Sequence, residues 1–297
     1  MDRTDAAGLG MRVFPVAIES AALKIGMAEQ AMRWDRWNGL ERKDRELHLI
    51  TGLNYQFCRM LRLYLERLKR PVEEDEALEQ YLRKVEIFIS HSKHDIHGEH
   101  IARLVRDRLY KGDGLDSFFD VHDIPAGVRF NKVLLHKVRV SAVVAIHTDS
   151  YSSREWCRRE IIEAKRWSVP LVVANCISDL DERSFPYMGN VPVVRMDPNA
   201  ADRIDYIVSR LLDEVLKDFL WRCRVLLAAG AGSENVVFLP RPPELISLAG
   251  LPKQMGGEAT LVYPDPPIGG EEQELFEVVA PKIRLRSMTE WLAEDGL

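Results

Sequence analysis

Two hydrophobic periods share this chain. From about residue 13 to 84 apolar positions recur at helical spacing: in "RELHLITGLNYQFCRMLRLYLERLKR", Leu47, Ile50, Phe57, Leu61, Leu65 and Leu68 follow at intervals of three, four or seven. Pro71 and the acidic run Glu73 to Glu76 close that helix, and a shorter one is predicted through Leu78, Tyr81 and Leu82. Beyond 85 the period changes. "VEIFIS" (85–90), "SFFDV" (117–121), "SAVVAIH" (141–147), "PLVVANC" (170–176) and "VPVVRM" (191–196) are short runs rich in β-branched and aromatic residues, as strands are. Amphipathic segments lie between them, such as "EHIARLVRDRLY", where Ile101, Leu104, Val105 and Leu109 share one face. Five strands alternating with helices predict a parallel sheet covered on both faces, with function at the carboxyl ends of its strands.

After the Gly/Ala-rich "LLAAGAGSEN" come a strand "NVVFLP", a helix "PPELISLA", a strand "TLVYPDPP", a helix "EEQELFEVVA", then "KIRLRS" and a terminal helix. The predicted organisation is a helical region (1–84), an α/β domain (85–220) and a small α/β extension (221–297).

Composition narrows the function classes. At 297 residues, 46% hydrophobic and 29% charged, the chain can bury a real core, and a net charge of −5 gives no global reason to expect nucleic acid as partner. The start, "MDRTDAAGLGMRVFPVAIES", is acidic at Asp2 and Asp5 and lacks a long apolar core, so neither a secretory signal nor a membrane anchor is read there. No stretch approaches 18 uncharged apolar residues, and a cytoplasmic protein is expected. Cys58, Cys157, Cys176 and Cys223 form no CxxC pair and are expected reduced and buried. Gly256, Gly257, Gly269 and Gly270 make neither a GxGxxG nor a P-loop.

Four histidines, His91, His94, His97 and His100, stand three residues apart in "HSKHDIHGEH". On one helix they would fan over roughly half the circumference and could not converge on one ion. Ser90, Ser92, Asp95 and Gly98 in and beside the run favour turns and helix starts. The stretch therefore reads as a strand end, a loop and a helix start, and no metal site is expected.

Three ordered blocks stand at matching strand and helix positions: "FISHSKHD" (88–95) at the first strand, "FFDVHDIPAG" (118–127) at the second, and "SSREWCRRE" (152–160) at the third helix. With these blocks the middle region resembles a Toll/interleukin-1 receptor (TIR) domain, most closely the bacterial kind. The resemblance implies a flavodoxin-like five-stranded parallel sheet. In TIR domains that act as enzymes it implies cleavage of NAD+ at the nicotinamide glycosidic bond by a glutamate of the third helix, here Glu160, with Trp156 as its neighbour. The residues fit that chemistry. Positions i and i+4 share a helix face, so Trp156 and Glu160 can present a flat ring and a carboxylate to one cavity. Glu163 and Trp167 are next on that stripe, while Cys157, Ile161 and Ala164 form an apolar stripe suited to the sheet. Losing a cationic nicotinamide leaves an oxocarbenium-like ribose carbon that a carboxylate stabilises, and a tryptophan ring attracts the charged pyridinium.

The same resemblance places the substrate pocket at Phe88, Ser90 and Ser92, with Asp120 and Asp123 of the second block orienting ribose or capping a turn. His91 departs from the tyrosine many relatives carry, and Ser92 stands where some carry a basic residue, which moves expected phosphate contacts to Lys93 or Arg129. NAD+ is then a substrate and no cofactor is implied. In bacteria such enzymes resemble anti-phage defence effectors, which implies a homo-oligomer or filament awakened by an upstream activating protein or ligand; no direct contact with nucleic acid or membrane is expected of this chain. The chain is expected to be such a hydrolase or cyclase. The alternative is a non-catalytic adaptor acting by self-association.

Overall fold

The computed structural model describes residues 13–25, 31–111, 116–118, 130–178, 185–197, 199, 203–228, 235–249, 251 and 258–294. Five strands, β1 (Glu86–His91), β2 (Asp116–Phe118), β3 (Ala142–His147), β4 (Leu171–Asn175) and β5 (Val193–Arg195), form one sheet in the order β2-β1-β3-β4-β5. Every pairing is parallel, with Ser90 opposite Ala145 and Ala145 opposite Val173. This is the doubly wound flavodoxin order, which reverses direction between β1 and β3.

Alternation along the strands sorts the apolar side chains into two cores. Ile87, Ile89, Val144, Ile146, Val172 and Ala174 face α3 (Ile96–Lys111), α6 (Ile204–Ala228) and α1 (Arg42–Lys69). Phe88, Val143, Ala145, Leu171 and Val173 face α4 (Phe130–Val140) and α5 (Glu155–Arg166). A sheet buried on both faces needs such continuous apolar runs, and each fully buried Val, Ile or Leu contributes roughly 1.5–3 kcal/mol. In α3 the four-residue face read from the sequence is inside: Ile101, Val105 and Leu109 are buried and Leu104 packs beside them.

The first long helix forms where its periodicity predicts, but its buried face coincides only in part with the periodic positions. Tyr55, Cys58, Leu63 and Leu65 are buried, whereas Ile50 is 51% and Phe57 38% exposed. Tertiary packing decides this. Among the described elements α1 makes its largest contact with α6, the Cys58 thiol points to Leu212 O, and Phe57 meets the edge of Phe14 instead, centroids 5.7 Å apart. Tyr55 and Cys58 belong to the same core as β1 and β3, so α1 is built into the α/β layer. α2 (Glu74–Leu82) leads back to β1.

α6 runs unbroken through position 220, where the sequence suggested a boundary, because Leu211, Leu212 and Val215 face the sheet while Trp221 farther along packs on Val262, Met288 and Trp291. Beyond it, β6 (Val236–Phe238), α7 (Leu245–Leu248), β7 (Ala259–Tyr263), α8 (Gly270–Val279), β8 (Ile283–Ser287) and α9 (Met288–Glu294) follow, and β6-β7-β8 form a parallel three-stranded sheet. Lys165 of α5 ties this part back through an ion pair to Glu244, and it also donates to Gly189 O, between β4 and β5, at 3.1 Å. Among the described residues no helix is long and apolar enough to cross a membrane.

Candidate active site

A cleft of about 240 Å³ opens at the carboxyl edge of the sheet, beside the β1/β3 reversal where doubly wound folds bind ligands. The end of β1 supplies His91 and the loop after it Ser92, Lys93 and His94; Arg154 just before α5 and Trp156, Cys157 and Glu160 in its first turns follow; Phe88 and Leu134 add apolar lining.

The loop is held by its own polar residues. The Asp95 carboxylate accepts from the His97 and Gly98 N–H groups at 2.9 and 3.3 Å, capping α3. Ser150 donates to Ser92 Oγ at 2.8 Å and to Asp95 at 3.3 Å, fastening this loop to the one after β3. Gly98 is required by close approach, since a Cβ there would stand 3.0 Å from Ser92 O. The histidine run thus divides as its neighbours suggest: His91 ends β1, His94 lies in the loop, and His97 and His100 belong to α3. Among the described residues no group of three or more His, Cys, Asp or Glu is placed to hold a metal ion.

Glu160 is 7% exposed, yet it opens onto the cleft. Its Oε2 lies 2.5 Å from Ser90 Oγ, and that oxygen lies 2.5 Å from the Tyr151 hydroxyl. An ionised carboxylate only accepts, so Ser90 donates to Glu160 and Tyr151 donates to Ser90. Burial pushes the Tyr151 phenol well above its ordinary value, with Cys157 and Glu160 adding to the rise, so the hydroxyl keeps the proton it donates. Tyr151 is fully buried and meets His147 edge-on, with ring centroids 5.6 Å apart. These contacts hold the carboxylate from behind, at the wall of the cleft.

Trp156 is 38% exposed at the cleft, with the Arg159 guanidinium 4.3 Å from its ring centroid. The stripe read from the sequence divides after one turn. Glu163 accepts from Arg139 and, at 2.8 Å, from Trp167 Nε1, and neither Glu163 nor Trp167 lines the cleft. The neighbouring stripe, Cys157, Ile161 and Ala164, is buried on the sheet. Burial, reinforced by Glu160, pushes the Cys157 thiol up to about 12, so it is a neutral thiol donating toward His91 O at 3.5 Å and no nucleophile. All four cysteines are buried and free of disulfides.

Of the residues singled out from the sequence, the structure brings Phe88, His91, Ser92, Lys93, Trp156 and Glu160 around one cleft, with Ser90 directly behind it. Asp120, Asp123 and Arg129 lie outside the described residues. Two residues were missed. Tyr151 stands just before the third block with no local sequence signal, and only burial and the Ser90 contact mark it. Arg154 sits inside the third block, just before α5; its Nε is buried with no hydrogen-bond partner among the described residues. A cation two residues before Trp156, at the start of the helix, was the available signal.

The arrangement on this doubly wound α/β domain is a cleft with a buried, oriented carboxylate, an exposed aromatic ring and cations at its rim. Residues 87–203 match the family model described as TIR domain, and the chain carries a TIR domain there. The matched segment runs from β1 to the residue before α6, so α1, α2 and everything from α6 onward lie outside it. No curated protein matches the chain.

Proposed function

We propose that this protein cleaves the bond between nicotinamide and ribose in NAD+, as TIR-domain enzymes do. The observation that carries the reading is the Glu160 carboxylate, nearly enclosed, backed by Ser90 and Tyr151, and facing the same cleft as the exposed ring of Trp156. Nicotinamide leaves as a neutral group from a cationic one, so the pocket needs no acid for it. It needs negative charge beside the ribose carbon as that carbon becomes oxocarbenium-like, and a preorganised carboxylate with little water around it supplies this. Trp156 stacks on the charged ring. Lys93 and Arg154, both at the cleft, are suited to the pyrophosphate. Attack by water yields ADP-ribose; attack by an adenine nitrogen yields the cyclic product. NAD+ is the substrate and the chain's own residues suffice without a cofactor.

The reading extends to a bacterial defence effector in the cytoplasm, active as a homo-oligomer or filament through contacts between unlike faces of neighbouring copies, and awakened by an upstream protein or ligand. A heterologous contact of that kind propagates when it does not close.

The test is chromatography of NAD+ and its products with concentrated full-length protein beside Glu160→Gln, over a range of protein concentrations. Nicotinamide release is expected to rise more steeply than linearly with concentration and to fall by about 10²-fold or more in the variant at unchanged melting temperature. Assembled wild-type protein that leaves NAD+ intact overturns the reading and favours an adaptor acting by self-association.

A further inference from the structure

At the opposite, amino edge of the sheet lies a second cavity, of about 310 Å³, which the NAD+ chemistry does not use. The starts of β1, β3 and β4 form one side of it, α1 and the end of α2 another, and α6 the third. Its volume is at the lower end of the range, roughly 300–1,000 Å³, of small-molecule sites.

Two features set it apart from a solvated crevice. First, it contains two buried polar atoms without a partner among the described residues: Ser141 Oγ and Asp218 Oδ1, on side chains 4% and 6% exposed. The other Asp218 oxygen accepts from Arg222 Nε at 2.9 Å. A buried polar atom left unpaired costs about 1–3 kcal/mol, so two in one cavity call for a partner there. Second, six cationic side chains line the cavity against three carboxylates. Lys69 and Arg139 have local reasons to be there, since they end helices and pair with Glu66 and Glu163. Arg83 and Lys84 have no ion-pair partner among the described residues, and Arg62 donates to Arg83 O, which draws these cations together. Burial, helped by the Arg83 charge, lowers the Arg62 pKa.

We propose that this cavity binds a phosphorylated, hydroxyl-bearing small molecule, a sugar phosphate or mononucleotide, with its phosphate on Arg62, Arg83 and Lys84 and its donor groups on Asp218 and Ser141. Asp218 Oδ1, as a carboxylate oxygen, asks for an O–H or N–H from the ligand, while Ser141 can donate or accept. The phosphate-binding side comes from α1 and the segment after α2, outside the matched TIR segment, and the donor-binding side from α6 and the start of β3. The site is independent of Glu160 and does not rest on the NAD+ reading.

Calorimetric titration of the full chain with AMP, ribose 5-phosphate, inorganic phosphate and adenosine tests this. AMP or ribose 5-phosphate is expected to bind at least about tenfold more tightly than phosphate, which lacks the carbon-borne hydroxyls, and adenosine to bind weakly if at all. Ribose 5-phosphate equal to AMP identifies the sugar phosphate as sufficient; AMP much tighter adds the base. Arg83→Glu with Lys84→Glu, both exposed positions, is expected to weaken binding by about tenfold or more at unchanged melting temperature. Asp218→Asn is expected to erase the preference over phosphate. Trp156→Ala, in the other cleft, leaves the affinity unchanged. Three results overturn the proposal: no heat from any phosphorylated probe at millimolar concentration, binding equal to that of phosphate alone, or binding lost in Trp156→Ala and kept in the charge-reversed variant, which would place the nucleotide in the NAD+ cleft.

Discussion

Removing the hydroxyl of Ser90 strikes the buried chain that holds Glu160, and the structure sets the size of the effect. Ser90 is 1% exposed and stands 2.5 Å from both Glu160 Oε2 and the Tyr151 hydroxyl. Ser90→Ala deletes a hydrogen bond to a charged acceptor, about 1.5–3 kcal/mol, and a neutral one, about 0.5–1.5 kcal/mol, for a total of roughly 2–4.5 kcal/mol. Tyr151→Phe deletes only the second and keeps the ring against His147, so it costs about 0.5–1.5 kcal/mol. In the double variant no tyrosine hydroxyl is left orphaned by the missing serine. Its cost falls short of the sum of the singles by about 1 kcal/mol. Urea unfolding of the four proteins measures this cycle without assuming any activity, and nicotinamide release read beside it should fall most steeply with Ser90→Ala. Single-variant costs that add within about 0.5 kcal/mol would show that the three side chains do not act as one chain.

Three further outcomes are expected. Arg154→Gln and Lys93→Gln each raise the KM for NAD+ by about tenfold with kcat little changed, because a phosphate contact is made equally in the ground and transition states; a fall confined to kcat would contradict this. Burial, against the pull of Asp149, holds His147 below its ordinary 6.5, so the unfolded chain takes up the proton first: the stability is full above about that pH and is lost as pH drops through it. Urea melts from pH 7.5 to pH 5 should therefore slope downward with acid, less so in His147→Gln. Tyr55→Ala empties a side chain 2% exposed in the sheet's own core and should cost about 3–5 kcal/mol by chemical denaturation, although it lies outside the TIR segment; a cost under about 1 kcal/mol would show α1 to be an appendage.

Local pattern carried much of the architecture. β-branched runs bounded by polar segments have few alternatives to buried strands, and each of the five expected strands has its counterpart within a few residues. The pairing of Trp156 with Glu160 was legible for the same reason: i and i+4 on a helix face one way whatever surrounds it. Periodicity failed at the next step along α5, where Arg139, from a different helix, draws Glu163 away from the cleft. It failed also on α1, whose apolar residues go nearly all round, so that α6 and Phe14, rather than the stripe itself, select which are buried.

By itself, then, the order of residues determined the strand and helix succession, the α/β class and the helix face shared by Trp156 and Glu160, because these depend on contacts within a few residues. Only the tertiary structure decided that Tyr151 stands behind Ser90, that the first long helix shares a core with the sheet, and that Arg83, Ser141 and Asp218 meet around a second cavity. Those residues are separated by tens to more than a hundred positions in the chain, and no local period records which of them will touch.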